Sequence, residues 1–172
     1  MKFTKKQIER YSRQIILKKI GIIGQKKILG SSVLIVGAGG LGSPIAIYLA
    51  AMGIGRIGII DKDKVALSNL HRQIIFTTSD IKKSKSLIAV NKLKKINPGI
   101  HFESFQKKIM TKNINQIAKK YDVIVDGSDN FRTRFLINDY CLKKKKILIS
   151  GAISKFDGQI YTFNFSKKTT PC

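Results

Sequence analysis

The sequence predicts an α/β fold, a doubly wound and mostly parallel sheet with an antiparallel strand near the C-terminus. Short apolar stretches, such as residues 33–36 (VLIV) and 123–126 (VIVD), alternate with segments of helical character. Continuous apolar runs are typical of parallel strands that helices cover on both faces. Near the C-terminus, residues 159–165 (QIYTFNF) alternate with a period of two instead, as antiparallel strands do.

The individual elements follow from periodicity and from turn residues. Ile8, Tyr11 and Ile15 recur at helical spacing and predict an N-terminal helical arm at about residues 4–18. After it we expect a strand at 33–36, a helix at about 42–52, a strand at 56–61, a polar loop at 62–83, a helix at 84–96 ended by Asn97-Pro98-Gly99, a strand at 100–105, a helical stretch at 113–120, a strand at 123–126, a helix at 131–143 and a strand at 147–150. No repeat or linker divides the chain, so we expect a single domain over residues 1–172.

The composition is that of a globular cytoplasmic protein. Of the 172 residues, 43% are hydrophobic, and no apolar run approaches the ~20 residues that a membrane span needs. The N-terminus lacks the apolar segment of a secretory signal. Two cysteines do not make a disulfide framework, so we expect a reducing cytoplasm and no membrane.

The formal net charge of +23 raises the question of nucleic-acid binding. The excess comes from 27 lysines against 6 arginines, and the lysines are dispersed over predicted helices and loops. The longest run, at residues 143–146, falls at the end of a predicted helix, where cations complement the helix dipole. We interpret the lysines as solvated surface and do not expect a nucleic-acid partner.

The acidic residues indicate where a ligand binds. Only 10 acidic residues occur in the chain, and four of them follow predicted strands: Asp61 and Asp63 come after the second strand, Asp126 and Asp129 at or after residues 123–126. The carboxyl ends of parallel strands meet at one edge, where open α/β sheets bind their ligands. We therefore predict a site at this edge.

A glycine turn begins directly after the first predicted strand. Gly37-Ala38-Gly39-Gly40-Leu41-Gly42 lets the backbone approach a phosphate and aims helix N–H groups at it. Asp61 lies at a spacing suited to a ribose hydroxyl. Alone, this fingerprint predicts a nucleotide and would favour NAD.

The segment after Asp61 favours a triphosphate instead. Asn69, Arg72 and Gln73 follow the acidic pair, and an arginine offers planar donors that match phosphate oxygens. Lys85, at the start of the next predicted helix, could add a point charge. His71 is interpreted as loop surface and His101 as structural.

Together these residues resemble the ThiF/MoeB/HesA family, bacterial relatives of ubiquitin-activating enzymes. The resemblance covers about residues 10–172, and residues 76–86 (FTTSDIKKSKS) are closer to ThiF than to MoeB. The motifs that carry it are Arg10-Tyr11-Ser12-Arg13-Gln14, the Gly37–Gly42 turn, Asp61-x-Asp63-x-Val65-x-x-Ser68-Asn69-Leu70-x-Arg72-Gln73, Lys85, Asp126-Gly127-Ser128-Asp129-Asn130 and residues 150–163 (SGAISKFDGQIYTF).

The resemblance implies a Rossmann-like fold and a reaction. Family members bind ATP and Mg²⁺ and adenylate the C-terminal Gly-Gly carboxylate of a small ubiquitin-like sulfur-carrier protein, in thiamine or molybdopterin biosynthesis. The nucleotide site so implied comprises Gly37, Gly39, Gly40, Gly42, Asp61, Asp63, Asn69, Arg72, Gln73, Lys85, Ser128 and Asn130. The implied catalytic residues are Arg13, Arg72, Lys85 and Asp129, with Asp61 on the ribose and Asp129 on Mg²⁺. The family is typically a homodimer, in which Arg13 would reach the phosphates of the neighbouring subunit.

The chain departs from the family at Thr170-Pro171-Cys172. In the family this position opens the first Cys-x-x-Cys of a four-cysteine zinc site, and Cys172 alone cannot complete it. We expect a truncated chain rather than an enzyme that has abandoned its zinc module. Cys141 lies within a predicted helix and is interpreted as a small buried hydrophobe.

Three alternatives to an adenylyltransferase remain open. The first is an NAD-dependent oxidoreductase, which the Arg72 and Lys85 positions disfavour. The second is a non-catalytic remnant that binds a nucleotide or a partner, and the third is a tRNA-modifying relative that activates an RNA-linked carboxylate.

Overall fold

One sheet of six strands runs through the structure, a computed structural model that describes residues 2–167. In chain order the strands are β1 (Ser32–Val36), β2 (Arg56–Ile60), β3 (His101–Phe105), β4 (Val123–Asp126), β5 (Ile147–Ser154) and β6 (Asp157–Asn164). Their order in the sheet is β3-β2-β1-β4-β5-β6; β6 runs antiparallel to β5, and the other neighbours are parallel. The predicted doubly wound sheet with a C-terminal antiparallel strand is confirmed.

Within the described residues, six α-helices connect and flank the strands. They are α1 (Lys5–Ile15), α2 (Gly21–Gly30), α3 (Gly42–Met52), α4 (Lys85–Ile96), α5 (Thr111–Ala118) and α6 (Phe131–Lys144). Two short 3₁₀ helices, Leu67–Asn69 and Thr78–Asp80, lie in the loop predicted at 62–83. No helix within residues 2–167 combines the length and the apolar character needed to cross a membrane.

Each face of the sheet carries its own apolar core. Val33 and Ile35 of β1 pack on one face with residues of α3 and α4, whereas Leu34 and Val36 pack on the other with residues of α5 and α6. Alternate side chains of a strand point to opposite faces. Both sets are buried because helices cover both faces. This explains the continuous apolar pattern of the parallel strands.

Helix α2 was not predicted, and β5 is longer than predicted. The sequence of α2, GIIGQKKILG, contains three glycines, which lower helix propensity, and Ile22 and Ile23 are exposed. Its buried residue is Gln25, whose Nε2 donates to the Met52 carbonyl at 3.0 Å. Strand β5 extends to Ser154 because β6 pairs with it along its whole length.

Helix α1 is docked through Tyr11. The Tyr11 ring is buried so closely against Gly53 that a Cβ there would lie 2.7 Å from it. The Tyr11 hydroxyl accepts a hydrogen bond from Asn97 Nδ2 at 2.9 Å, and the same nitrogen donates to the Ala50 carbonyl. The N-terminal arm is therefore fixed to the ends of α3 and α4.

The strand register aligns the carboxyl ends of β1, β2, β3 and β4 with the middle of β5. Ile60 pairs with Phe105 and with Val36, and Val36 pairs on its other side with Asp126. Asp126 in turn pairs with Ser150 of β5. The loops that leave these strands meet above one edge of the sheet.

Candidate nucleotide-binding site

A cleft of about 800 Å³ opens at this edge. It lies above β1 and β4, the point at which the strand order reverses, where doubly wound sheets bind ligands. The predicted residues that line it are Gly37, Gly39, Gly40, Asp61, Asp63, Asn69, Arg72, Gln73, Lys85, Ser128, Asp129 and Asn130. Residues from four separate segments of the sequence thus converge on one cleft.

The glycine turn forms the floor of the cleft, and two of its glycines lie too close to other backbone atoms for a side chain. Gly37 has a φ of 92°, and a Cβ there would lie 3.0 Å from the carbonyl oxygen of Gly127. Gly42 does not line the cleft, but its Cβ would lie 1.9 Å from the Gly37 carbonyl oxygen. Gly42 therefore allows α3 to begin directly against the turn.

The beginning of α3 offers donors to an anion. Within residues 2–167, the N–H groups of Gly39, Gly40 and Leu41 make no hydrogen bond to another protein group, and all three residues line the cleft. Unpaired N–H groups and the positive end of the helix dipole favour a phosphate at such a position.

Asp61 is held by the backbone on both sides. Its Oδ2 accepts from the N–H of Ala38 at 2.8 Å and its Oδ1 from the N–H of Asp63 at 2.7 Å. Burial raises the pKa of Asp61, and the two backbone hydrogen bonds oppose that shift. The carboxylate keeps lone pairs that can accept from a ribose hydroxyl.

Lys85 is buried, unlike an ordinary surface lysine. It is the first residue of α4, follows the Ser84 cap, and is 7% exposed. Its backbone N–H donates to the Asp63 carbonyl at 3.0 Å. Within the described residues its ammonium has no hydrogen bond or close ion pair. The charge of Asp61 acts on it at longer range. A buried cation with no hydrogen-bonded partner favours an anionic ligand.

Arg72 and Gln73 lie over the glycine turn. A Cβ on Gly40 would contact Arg72 Cδ at 3.6 Å, and one on Gly39 would approach Gln73 Nε2 at 3.9 Å. Arg72 Nη1 donates to the Ser68 carbonyl at 3.1 Å. Asn69 accepts the backbone N–H groups of Arg72 and Gln73 through its carbonyl, so the 3₁₀ turn sets the position of both.

Neither histidine reaches a position for acid or base chemistry. His71 is exposed, with its Nε2 3.4 Å from Arg72 Nη1. His101 begins β3 and lies 3.4 Å from Glu103, at the opposite edge of the sheet from the cleft.

The loop after β4 brings Asp129 to the lining of the cleft. Asn130 Oδ1 accepts from the Thr133 N–H at 3.0 Å and caps α6. Asp129 is exposed, and its Oδ1 accepts from Asn130 Nδ2 at 3.4 Å. Ser128 donates both its N–H and its hydroxyl to Asp126.

Residues 2–167 contain no group of three or more His, Cys, Asp or Glu side chains that could hold a metal ion by itself. Mg²⁺ usually binds through one or two carboxylates together with phosphates and water. A single exposed carboxylate that lines the same cleft as the glycine turn fits such a shared site. The residues present therefore fit Mg²⁺ only together with a nucleotide.

Several cleft residues were missed by sequence analysis. They are Lys62, Lys64, Lys107 and Lys108 on the rim, and Arg134 of α6. Single lysines in a chain so rich in lysine carry no distinguishing signal, and the loop after β3 reaches the cleft only because β3 lies next to β2. Arg134 stands four residues after the Asn130 cap, a spacing that could have suggested one helix face.

Two predicted residues lie away from the cleft or outside the described chain. Arg13 is exposed on α1 and does not line the cleft. Cys172 falls outside the described residues. Cys141 is fully buried in α6, as predicted, and burial raises the pKa of its thiol to about 12, which disfavours the reactive thiolate.

Sequence comparison places these features in a known group. The profile described as the ThiF family matches residues 11–172. The sulfur carrier protein adenylyltransferase of Thermus thermophilus is 44% identical over 164 residues, which are 95% of this chain and 60% of that protein. The probable molybdopterin-synthase adenylyltransferase of Porphyra purpurea is 48% identical over 95% of this chain and 43% of that protein.

A solved structure shows the same fold. Escherichia coli MccB, crystallised with AMPCPP and MccA, superposes with a TM-score of 0.79 at 28% identity over 88% of this chain and 48% of that chain. The chain spans 43 to 60% of the length of the two curated relatives.

Proposed function

The chain belongs to the ThiF family, and from this premise we propose that it binds ATP and transfers the adenylyl group to a carboxylate. We further propose that residues 2–167 act as one nucleotide-binding unit. The substrate that we propose is the C-terminal Gly-Gly carboxylate of a small ubiquitin-like sulfur carrier. The names of the relatives support this class of substrate.

One observation carries the proposal: the cleft combines a glycine floor, an oriented acid, a buried lysine without a hydrogen bond in the described residues, and an arginine over the turn. A dinucleotide needs the first two. The lysine and the arginine add two cations at the position of the phosphates, which suits the higher charge of a triphosphate. The buried Lys85 is the strongest sign, because its ammonium makes no hydrogen bond or close ion pair within the described residues and only the longer-range charge of Asp61 acts on it.

The proposed roles follow the order of groups in the nucleotide. Asp61 accepts from the ribose hydroxyls, the N–H groups of Gly39 and Gly40 donate to phosphate oxygens, and Arg72 and Lys85 bind the outer phosphates. A carboxylate oxygen of the carrier attacks the α-phosphorus, the bond to the bridging oxygen breaks, and pyrophosphate leaves as an acyl-adenylate forms. Catalysis is then positioning and charge stabilisation, and no general base is needed.

Asp129 is the residue that would hold Mg²⁺. When bound, Mg²⁺ supplies charge neutralisation of the phosphates. The contribution of the chain itself is to bring one carboxylate, on the loop after β4, to the lining of the cleft that the glycine turn also lines.

A protein substrate fits the surface beside the cleft. Ile153 lines the cleft and is 65% exposed, and the hairpin of β5 and β6 also exposes Phe156, Ile160 and Tyr161. An apolar surface of this kind is typical of protein contacts. The lysines of the rim would favour a carrier with acidic residues.

The test is ATP–pyrophosphate exchange with candidate carriers from thiamine and molybdopterin biosynthesis. We expect exchange that requires a carrier and that Arg72→Ala abolishes, while Arg132→Ala, an exposed arginine of α6, leaves it intact. Binding of ATP but not NAD, measured by calorimetry, would exclude the oxidoreductase. ATP binding without exchange for any carrier would leave only a nucleotide-binding remnant and defeat the proposal.

A further inference from the structure

Arg134 of α6 joins two loops at the wall of the cleft. Its Nη2 donates to the Ser128 carbonyl at 2.6 Å and to the Gly151 carbonyl at 2.8 Å. Its Nη1 donates to Ser150 Oγ at 3.3 Å. One guanidinium thereby ties the loop after β4 to strand β5.

A buried carboxylate completes the arrangement. Asp126 is 1% exposed, and its Oδ1 accepts from the Ser128 N–H at 2.9 Å and from Ser128 Oγ at 2.6 Å. Its Oδ2 accepts from Ser150 Oγ at 3.4 Å and lies 3.9 Å from Arg134 Nη1. Asp126 thus holds the N–H side of Ser128, and Arg134 holds the carbonyl side.

The direction of Asp129 depends on these anchors. Its side chain is exposed, and its one hydrogen bond within the described residues is the one from Asn130 at 3.4 Å. The preceding residue, Ser128, is held by Arg134 and Asp126, and the following residue, Asn130, is held by its cap on α6. The carboxylate is therefore aimed by its neighbours' backbone rather than by contacts of its own.

We propose that Arg134 is a positioning residue that clamps the Ser128 carbonyl to Gly151 and so aims the Asp129 carboxylate at the phosphate site. The inference rests on the proposed ATP site. Arg134 acts through Asp129 and not on the nucleotide, because three of its hydrogen bonds are already made to the protein.

Three variants test it: Arg134→Gln removes the charge and most of the clamp, Arg134→Lys keeps the charge, and Arg132→Gln is the matched control. Arg132 is exposed and lies two residues away on the same helix. Hydrogen exchange of residues 127–130 reports on the loop without any ligand. Mn²⁺ binding to the ATP complex, followed by electron paramagnetic resonance, reports on Asp129.

We expect Arg134→Gln to speed hydrogen exchange at residues 127–130 and to weaken Mn²⁺ binding about 10–100-fold, while ATP affinity in the absence of metal stays at the wild-type value. Arg134→Lys should give a hydrogen-exchange rate and an Mn²⁺ affinity between those of wild type and Arg134→Gln. Arg132→Gln should match wild type in both. If Arg134→Gln does not fold, Arg134→Lys alone must show both changes.

Two results would overturn the inference. The first is that Arg134→Gln leaves both the hydrogen exchange of residues 127–130 and the Mn²⁺ affinity unchanged. The second is an equal loss of metal-free ATP binding, which would make Arg134 a direct nucleotide contact. If the wild type binds no ATP but Arg134→Gln still speeds loop exchange, the proposed function fails and the clamp on the loop stands.

Discussion

The carboxylate of Asp61 accepts a hydrogen bond from the backbone N–H of Ala38 over 2.8 Å. The bond ties the end of β2 to the glycine turn after β1, so the residue proposed to hold the ribose and the turn proposed to hold the phosphates have one fixed relationship. The second carboxylate oxygen of Asp61 accepts a hydrogen bond from the backbone N–H of Asp63.

We expect Asp61→Asn to lower stability by about 1–3 kcal/mol, because the new amide must face one of two N–H donors. ATP affinity should fall as well. Thermal unfolding and calorimetry measure the two effects, and Asp157→Asn, on the exposed hairpin, is the control. If Asp61→Asn binds ATP with wild-type affinity, Asp61 does not bind the ribose hydroxyls.

Lys85→Met should weaken ATP binding by about tenfold to hundredfold, the value of a hydrogen bond to a charged group. The methionine retains the apolar stem, so the fold should be unaffected. Lys95→Met, at an exposed position of the same helix, should bind ATP normally. Equal affinities in the two variants would show that Lys85 does not touch the phosphates.

Gly42→Ala should destabilise the protein by about 1–3 kcal/mol, because its Cβ has no room beside a backbone carbonyl. Gly30→Ala is the matched control: the same Cβ meets nothing within 4 Å, and we expect a gain of about 0.5 kcal/mol from reduced chain entropy. Urea unfolding compares them. Equal effects would mean that the turn and α3 are packed more loosely than described.

Asp80 and Lys92 should make stability depend on pH in the acid range. Burial acts to raise the pKa of Asp80, but hydrogen bonds from Lys92 and Thr77 outweigh it and lower the pKa from 3.8 to about 2. The resulting stabilisation, on the order of 1–2 kcal/mol, is present above pH 4 and is lost as the pH falls towards 2.

Lys92→Met should therefore lower stability at pH 7 and flatten this dependence, measured by urea unfolding at several pH values. Lys94→Met, on the exposed side of the same helix, should retain the wild-type dependence. If Lys92→Met loses stability below pH 4 as wild type does, the hydrogen bonds from Thr77 alone account for the lowered pKa of Asp80.

Arg13 can be tested by complementation between subunits. If Arg13 of one copy completes the cleft of another, Arg13→Ala and Arg72→Ala are each inactive alone but regain about a quarter of wild-type exchange when mixed and allowed to re-equilibrate, because half of the dimers then hold one intact site. No recovery, with subunit exchange verified by light scattering and labelled chains, would contradict a role in trans.

The strands, most helices and the glycine turn were predictable because their signals are local. Residues 33–36 had to be buried on both faces, and Gly42 reflects a contact with Gly37 only five residues earlier in the chain. Helix α2 was not predictable, because its helical state depends on Gln25 binding a carbonyl of Met52, 27 residues away.

For the site, the sequence by itself determined which residue types are present and, through the resemblance, the family to which they belong. Only the tertiary structure decided which of them share the cleft. Placing β4 beside β1 brings Asp126 next to Val36, and from this pairing follow the positions of Ser128, Asp129 and Arg134. Strand order is set by packing between segments far apart in the chain, so no local pattern of residues encodes it.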